Sequence, residues 1–200
     1  EAVELVYKPS DYNLPQSFEM RCPTDDIVDG DQNWILKFDV SSEGADYSVL
    51  DEAMTSVEGI TLDVDKGGFE VQCDKNSVNE GETFSCTILM NSKPQSSVAV
   101  KVDVSDTELG STLTGGESIV FEANDPEWNT GKTFTFVGTQ DDYVDGTQVA
   151  KLSFTSESED SNFSVDADHA ISLDVSVIDI NEASIVILGD YDTVLNENEE

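Results

Sequence analysis

The 200 residues carry 43 Asp and Glu against 9 Lys and Arg, a formal charge of −34. With no basic stripe, this excludes nucleic acid as a partner and an anionic membrane as a docking surface, and leaves small cations as the natural counter-charge. A hydrophobic content of 38%, with 9 Phe, 5 Tyr and 2 Trp, excludes a disordered acidic tail, and no apolar run nears the roughly 20 residues of a membrane span.

From its first residue the chain repeats itself. Shifted by 116 residues, 1–78 aligns with 117–194 without a gap, with 19 identities in 78 positions. "TDDIVDGDQNWILKF" (24–38) falls on "QDDYVDGTQVAKLSF" (140–154), Phe18 on Phe134, Phe38 on Phe154, and "LDVD" (62–65) on "IDIN" (178–181). After one inserted residue, "NEGE" (79–82) matches "NENE" (196–199). This period suits one β-sandwich module. Residues 1–66 therefore read as the C-terminal part of one module, 67–182 as a complete module, and 183–200 as the first strand of a following one. A half module cannot close its own core, so the chain reads as a piece of a longer tandem array. The alternative is strand donation by a neighbouring chain.

Within 67–182 the elements in chain order all read as strands. They are "FEVQC" (69–73), "TFSCTILM" (83–90), "VAVKVDV" (98–104), "SIVFEA" (118–123), "KTFTFVG" (132–138), "VAKLSF" (149–154) and "ISLDVSVIDI" (171–180). Alternation of two and a rich Val, Ile, Thr and Phe content favour strands. The turn signals "NEG", "NSKP", "TGGE", "NDPEWNTG" and "DDYVDG" divide them. Seven short antiparallel strands predict an all-β, two-sheet, Ig-like sandwich. Cys73 and Cys86 fall on neighbouring strands and could bridge, leaving Cys22 buried or paired between chains; three buried thiols fit equally well. No cysteine sits in a CxxC motif or near His169, so zinc is not indicated.

The acids gather in loops that a sandwich brings to one pole. Asp141, Asp142 and Asp145 end at Gly146, and the earlier copy repeats them as Asp25, Asp26, Asp29 and Gly30. Asp179, with Asn181 just beyond, closes the last strand, and its earlier counterparts are Asp63 and Asp65. Glu80 opens the second strand. Carboxylates this close repel unless protonated or bridged by a cation, and Ca²⁺ accepts six to eight oxygens in irregular geometry. The competing reading makes the loop acids turn formers on a soluble surface.

These three motifs together resemble the Calx-β family. That family has an "sEG" acid at the second strand, a "DD-x-x-[ED]-G" turn between the fifth and sixth strands, and a closing "v-x-D-x-[DN]" strand. Here they are "VNEG" (78–81), "DDYVDG" (141–146) and "VIDIN" (177–181). The likeness spans 69–181 and, through the repeat, 1–66. "SDTELG" (105–110) and "WNT" (128–130) are similar to segments of the variant in large surface proteins. The resemblance implies a calcium-binding sandwich with ligands Glu80, Asp141, Asp142, Asp145 and Asp179. In the partial module it implies Asp25, Asp26, Asp29, Asp63 and Asp65, and Glu197 for the third module. The family's exchanger branch has a further acidic segment after the third strand that is missing here, with Asp106 or Glu108 as its nearest substitutes.

Asp103 reads as a solvated strand residue, Trp128 as packing, and His169 as exposed. No catalytic arrangement emerges: there is one histidine, no recurring Ser–His–Asp set and no phosphate loop. The expected function is an extracellular structural or adhesive repeat of the cell surface, not an enzyme. Its partners would be neighbouring modules of the same protein, or copies of itself in a filament. One rival is a calcium-sensing module of a membrane or signalling protein. Another is a carbohydrate- or partner-binding sandwich using Trp34 or Trp128.

Overall fold

The structure is a computed structural model and describes residues 3–43, 55–112 and 118–186. The chain forms two compact units, Glu1–Lys66 and Gly67–Glu200. The described residues are all-β apart from one short 3-10 turn at Ser161–Phe163. None of their helices is long and apolar enough to cross a membrane.

The first unit contains β1 (Gln32–Lys37) and β2 (Ser56–Thr61), paired antiparallel from Gln32↔Thr61 to Lys37↔Ser56. On the inner face of β1, Trp34 lies over Gly59 of β2, where any Cβ would collide with the indole.

The second unit is a two-sheet sandwich. One sheet holds β3 (Phe69–Cys73), β5 (Thr83–Met90), β9 (Lys132–Gly138) and β7 (Gly110–Thr112), in that order. The other runs β4 (Ser77–Asn79), β11 (Ile171–Ile178), β10 (Gln148–Ser158), β6 (Val98–Val104), β8 (Ile119–Phe121). Alternation decides which side chains go inward. Phe84, Cys86, Ile88 and Met90 of β5 are buried with Phe134 and Phe136 of β9 on one side. Val98, Val100, Ala150, Leu152, Phe154, Val175 and Val177 face them from the other. Phe134 and Phe154 bridge the layers, their ring centroids 5.8 Å apart. Lys101 and Asp103 point outward from β6 and pair at 2.8 Å.

The wide turn before β9 is organised by a largely buried ion pair. Asp125 accepts from the Lys132 ammonium at 2.6 Å and from the backbone N–H of Glu127 at 2.8 Å. Lys132 also caps the Val120 carbonyl and sits over the Phe121 ring. The Lys132 hydrogen bond holds the Asp125 carboxyl below the usual range, helped by the Glu127 amide.

Two expectations change. The described part of this unit has nine strands, not seven, and the pairing is not wholly antiparallel: β4 runs parallel to β11, with Ser77↔Ser176 and Asn79↔Ile178 in register. The extra strands, β4 and β7, are three residues long, too short to display alternation in sequence. Of the two cysteine readings, the bridge is the one present: Cys73 and Cys86 face each other across β3 and β5 and form a disulfide. Cys22 is exposed and free, its sulfur accepting from the Thr61 hydroxyl. Most of the expected 183–200 strand, and Glu197 with it, lies outside the described residues.

Candidate metal centre

Three separate elements deliver carboxylates to one pole of the sandwich. The unexpected parallel pair places the first. Because β4 tracks β11 in register, Glu80 follows Asn79 into the position beside Asp179, and its N–H donates to the Ile178 carbonyl at 3.1 Å. Glu80 thus sits in the β4–β5 turn, ahead of β5, and not on the second long strand.

The loop between β9 and β10 brings the second. Its Asp145 and Gly146 N–H groups both donate to Asp179 Oδ2, each at 2.9 Å. Gly146 has φ +78°, the left-handed conformation that non-glycine residues avoid, and open space around it, so backbone conformation alone calls for glycine there. Asp179, just past β11, is the third. Its Oδ1 accepts from the Asn181 N–H at 2.7 Å.

Glu80, Asp145 and Asp179 then offer oxygens all within 4.8 Å of one another, the one such group of three among the described residues. Glu80 is 7% exposed, Asp179 half-buried and Asp145 exposed. Burial pushes the Glu80 carboxyl up, reinforced by the charges of Asp141, Asp179 and Asp145. Backbone N–H donation, led by Gly146 and Asn181, pulls Asp179 down. A firmly ionised carboxylate therefore stands beside a buried one that lacks a counter-charge. The donors are oxygens only, with no imidazole or thiolate among them. That chemistry fits a hard cation such as Ca²⁺ and argues against zinc.

The other expected ligands divide. Asp141 is half-buried near the cluster and acts electrostatically on Glu80, but its Oδ1 is engaged by the Tyr143 N–H at 2.7 Å. Asp142 is exposed and stands outside the group of three. In the first unit, the Gly30 N–H donates to Asp63 Oδ2 at 2.7 Å, the Asp65 N–H to Asp63 Oδ1 at 2.8 Å, and the Ile27 N–H to Asp25 Oδ1 at 3.0 Å. These three bonds repeat, position for position, those of Gly146, Asn181 and Tyr143. Backbone donation from Asp65 and Gly30 lowers Asp63. Burial raises Asp65, followed by the charges of Asp63, Asp25, Asp26 and Asp29. These five acids feel one another without any three converging to 4.8 Å.

Asn181 does more than follow Asp179 in the closing motif. Its amide nitrogen donates to the Asp141 and Tyr143 carbonyls at 2.9 and 2.8 Å and lies 3.4 Å from Glu80 Oε2, tying the three segments together. Gln148 similarly bonds the Asp145 carboxylate from the first residue of β10. The signal for both was the duplicated alignment, where Asp65 and Gln32 stand opposite them. Neither tryptophan forms an exposed platform: Trp128 packs against the core and Trp34 against Gly59. His169 is exposed and pairs with Asp166 at 2.7 Å.

No protein-family model and no curated protein sequence matches this chain. Among solved structures it is similar to WR4, an MSP family member from C. elegans, with 14% identity over 55% of this chain and 96% of that one, at a TM-score of 0.34. It is also similar to domains 4 and 5 of the S-layer protein SbsC, with 15% identity over 64% of this chain and 61% of that one, at a TM-score of 0.29. A longer piece of SbsC gives 11% identity over 79% of this chain and 21% of that one, at 0.36. None of these three is described as a Calx-β module, and at such identities and TM-scores they carry no function across.

Proposed function

We propose that this chain is a calcium-binding structural repeat of an extracellular or cell-surface protein, in which the ion at each sandwich pole ties the closing strand, the DDxxDG loop and the β4–β5 turn together. The observation that carries this reading is the convergence of Glu80, Asp145 and Asp179 from three elements around a buried, uncompensated carboxylate. The duplicated bonding of Asp63 and Asp179 supports a second, related pole. The Cys73–Cys86 disulfide supports an oxidising compartment, where millimolar calcium would load even a site of about 10⁻⁴–10⁻³ M. In this reading residues 67–182 are one Calx-β-like module and 1–66 part of another, and the acids serve as ligands without catalysis.

The test is a thermal melt of the whole chain in millimolar calcium, in chelator, and in magnesium. A calcium-specific rise of several degrees is expected, because an ion bound only by the native state stabilises it. Asp179→Asn and Glu80→Gln should each abolish most of that rise. An identical melt in calcium and chelator would remove the ion from the reading and leave the sandwich.

A further inference from the structure

We propose that the inner face of the first unit is an acceptor site for a strand-bearing segment of the 67–112 type, contributed by another stretch of the same repeat. The inference rests on the repeat half of the reading above and not on its ion.

The two hairpins establish the correspondence. The β1–β2 register, Gln32↔Thr61 through Lys37↔Ser56, is reproduced by Gln148↔Val177 through Ser153↔Ser172 in β10–β11, every pair displaced by the same 116 residues. Phe18 and Phe38 stand 6.1 Å apart, edge to face, as their counterparts Phe134 and Phe154 stand 5.8 Å apart between the sheets of the second unit. What differs is the covering. Phe134 and Phe154 are 1% and 0% exposed, whereas Phe18 and Phe38 are 39% and 37% exposed. Met20, opposite the fully buried Phe136, is 45% exposed.

The missing cover is identified by which strands fail to form. In the second unit β8 pairs with β6, and β9 pairs with β5 and β7; all three partners lie within 67–112. In the first unit the segments aligned with β8 and β9, residues 3–5 and 16–22, are not strands. The segments aligned with β10 and β11 pair with each other in both units, and both form strands in the first. Among the described residues, the first unit therefore lacks the pairing partners that 67–112 supplies to the second. Its interior is nonetheless built as a core layer. Trp34 over Gly59 fills the space that Ala150 and Val175 share in the second unit, and the indole Nε1 is buried without an acceptor. A covering segment would bring pairing partners to 16–22 and burial to Phe18 and Met20.

The experiment is amide hydrogen exchange on the full chain, with and without a copy of residues 67–116 fused directly before Glu1, where the alignment makes the join continuous. The measurement runs in chelator and in calcium, so that failure of the calcium reading leaves it interpretable. Protection of residues 16–22 should rise at least a hundredfold in the fused protein under both conditions. Phe18→Asp should cancel that rise, and Ile35→Asp, on the outer face of β1, should keep it. Two results would overturn the proposal: no added protection in the fused protein, or equal protection in the unfused chain. If the latter grows with concentration, a second copy of this chain is the occupant instead.

Discussion

The two hairpins share register, pole and aromatic pair, yet one belongs to a closed sandwich and the other is uncovered on its inner face. The comparison separates what local sequence builds from what a second layer adds. Asx-type bonds, the glycine turn and strand pairing with the nearest neighbour form in both units. Burial and the full set of strands appear only where 67–112 lies alongside.

The largest expected difference is in the aromatic pair. Phe134→Ala removes a fully buried ring and should cost about 4 kcal/mol in urea denaturation. Phe18→Ala, at the aligned but exposed position, should cost under about 0.5 kcal/mol. Equal costs would mean that the first unit is covered in solution.

The glycines should behave alike in both units. Gly30 and Gly146 have φ of +76° and +78° with open space around each. Alanine at either should cost about 1 kcal/mol through backbone strain alone. Exchange in the adjacent hairpin would read it, and a much larger cost at Gly146 would show that the Asp179 bond is worth more in the closed unit.

The smallest effect is in pH. The folded state holds a proton on Glu80 more tightly than the unfolded chain does, so ionised Glu80 costs stability at neutral pH. In chelator, stability should rise as pH falls through the Glu80 folded pKa toward about 4.3, its unfolded value. It should then decline as Asp179 and Asp125, both lowered, take up protons at still lower pH. Glu80→Gln should flatten the rise, and calcium should erase it by replacing the proton. Asp65→Asn should remove the matching response in the first unit, and it places there the residue type found at position 181.

The long strands of the second unit were legible because buried and exposed residues alternate over five or more positions. The pole acids were legible because their spacing occurs twice. β4 was not, and with it went the location of Glu80: three residues carry no period, and a parallel pairing leaves no turn signal between its partners. The 16–22 segment shows the converse limit. Phe18, Met20 and Cys22 alternate as a strand should, but a strand is a pairing, and alternation says nothing about whether a partner is present.

The Cys73–Cys86 bridge has a mechanical consequence. Tension along the chain would pass from residue 73 to residue 86 through the sulfurs and on into β5. The loop between them, which holds β4 and Glu80, is thereby a slack bypass outside the load path. A module pulled in this way would keep Glu80 at its post beside Asp179 while the sulfurs carry the force past it. Reducing the bridge would put that carboxylate in series with the pull.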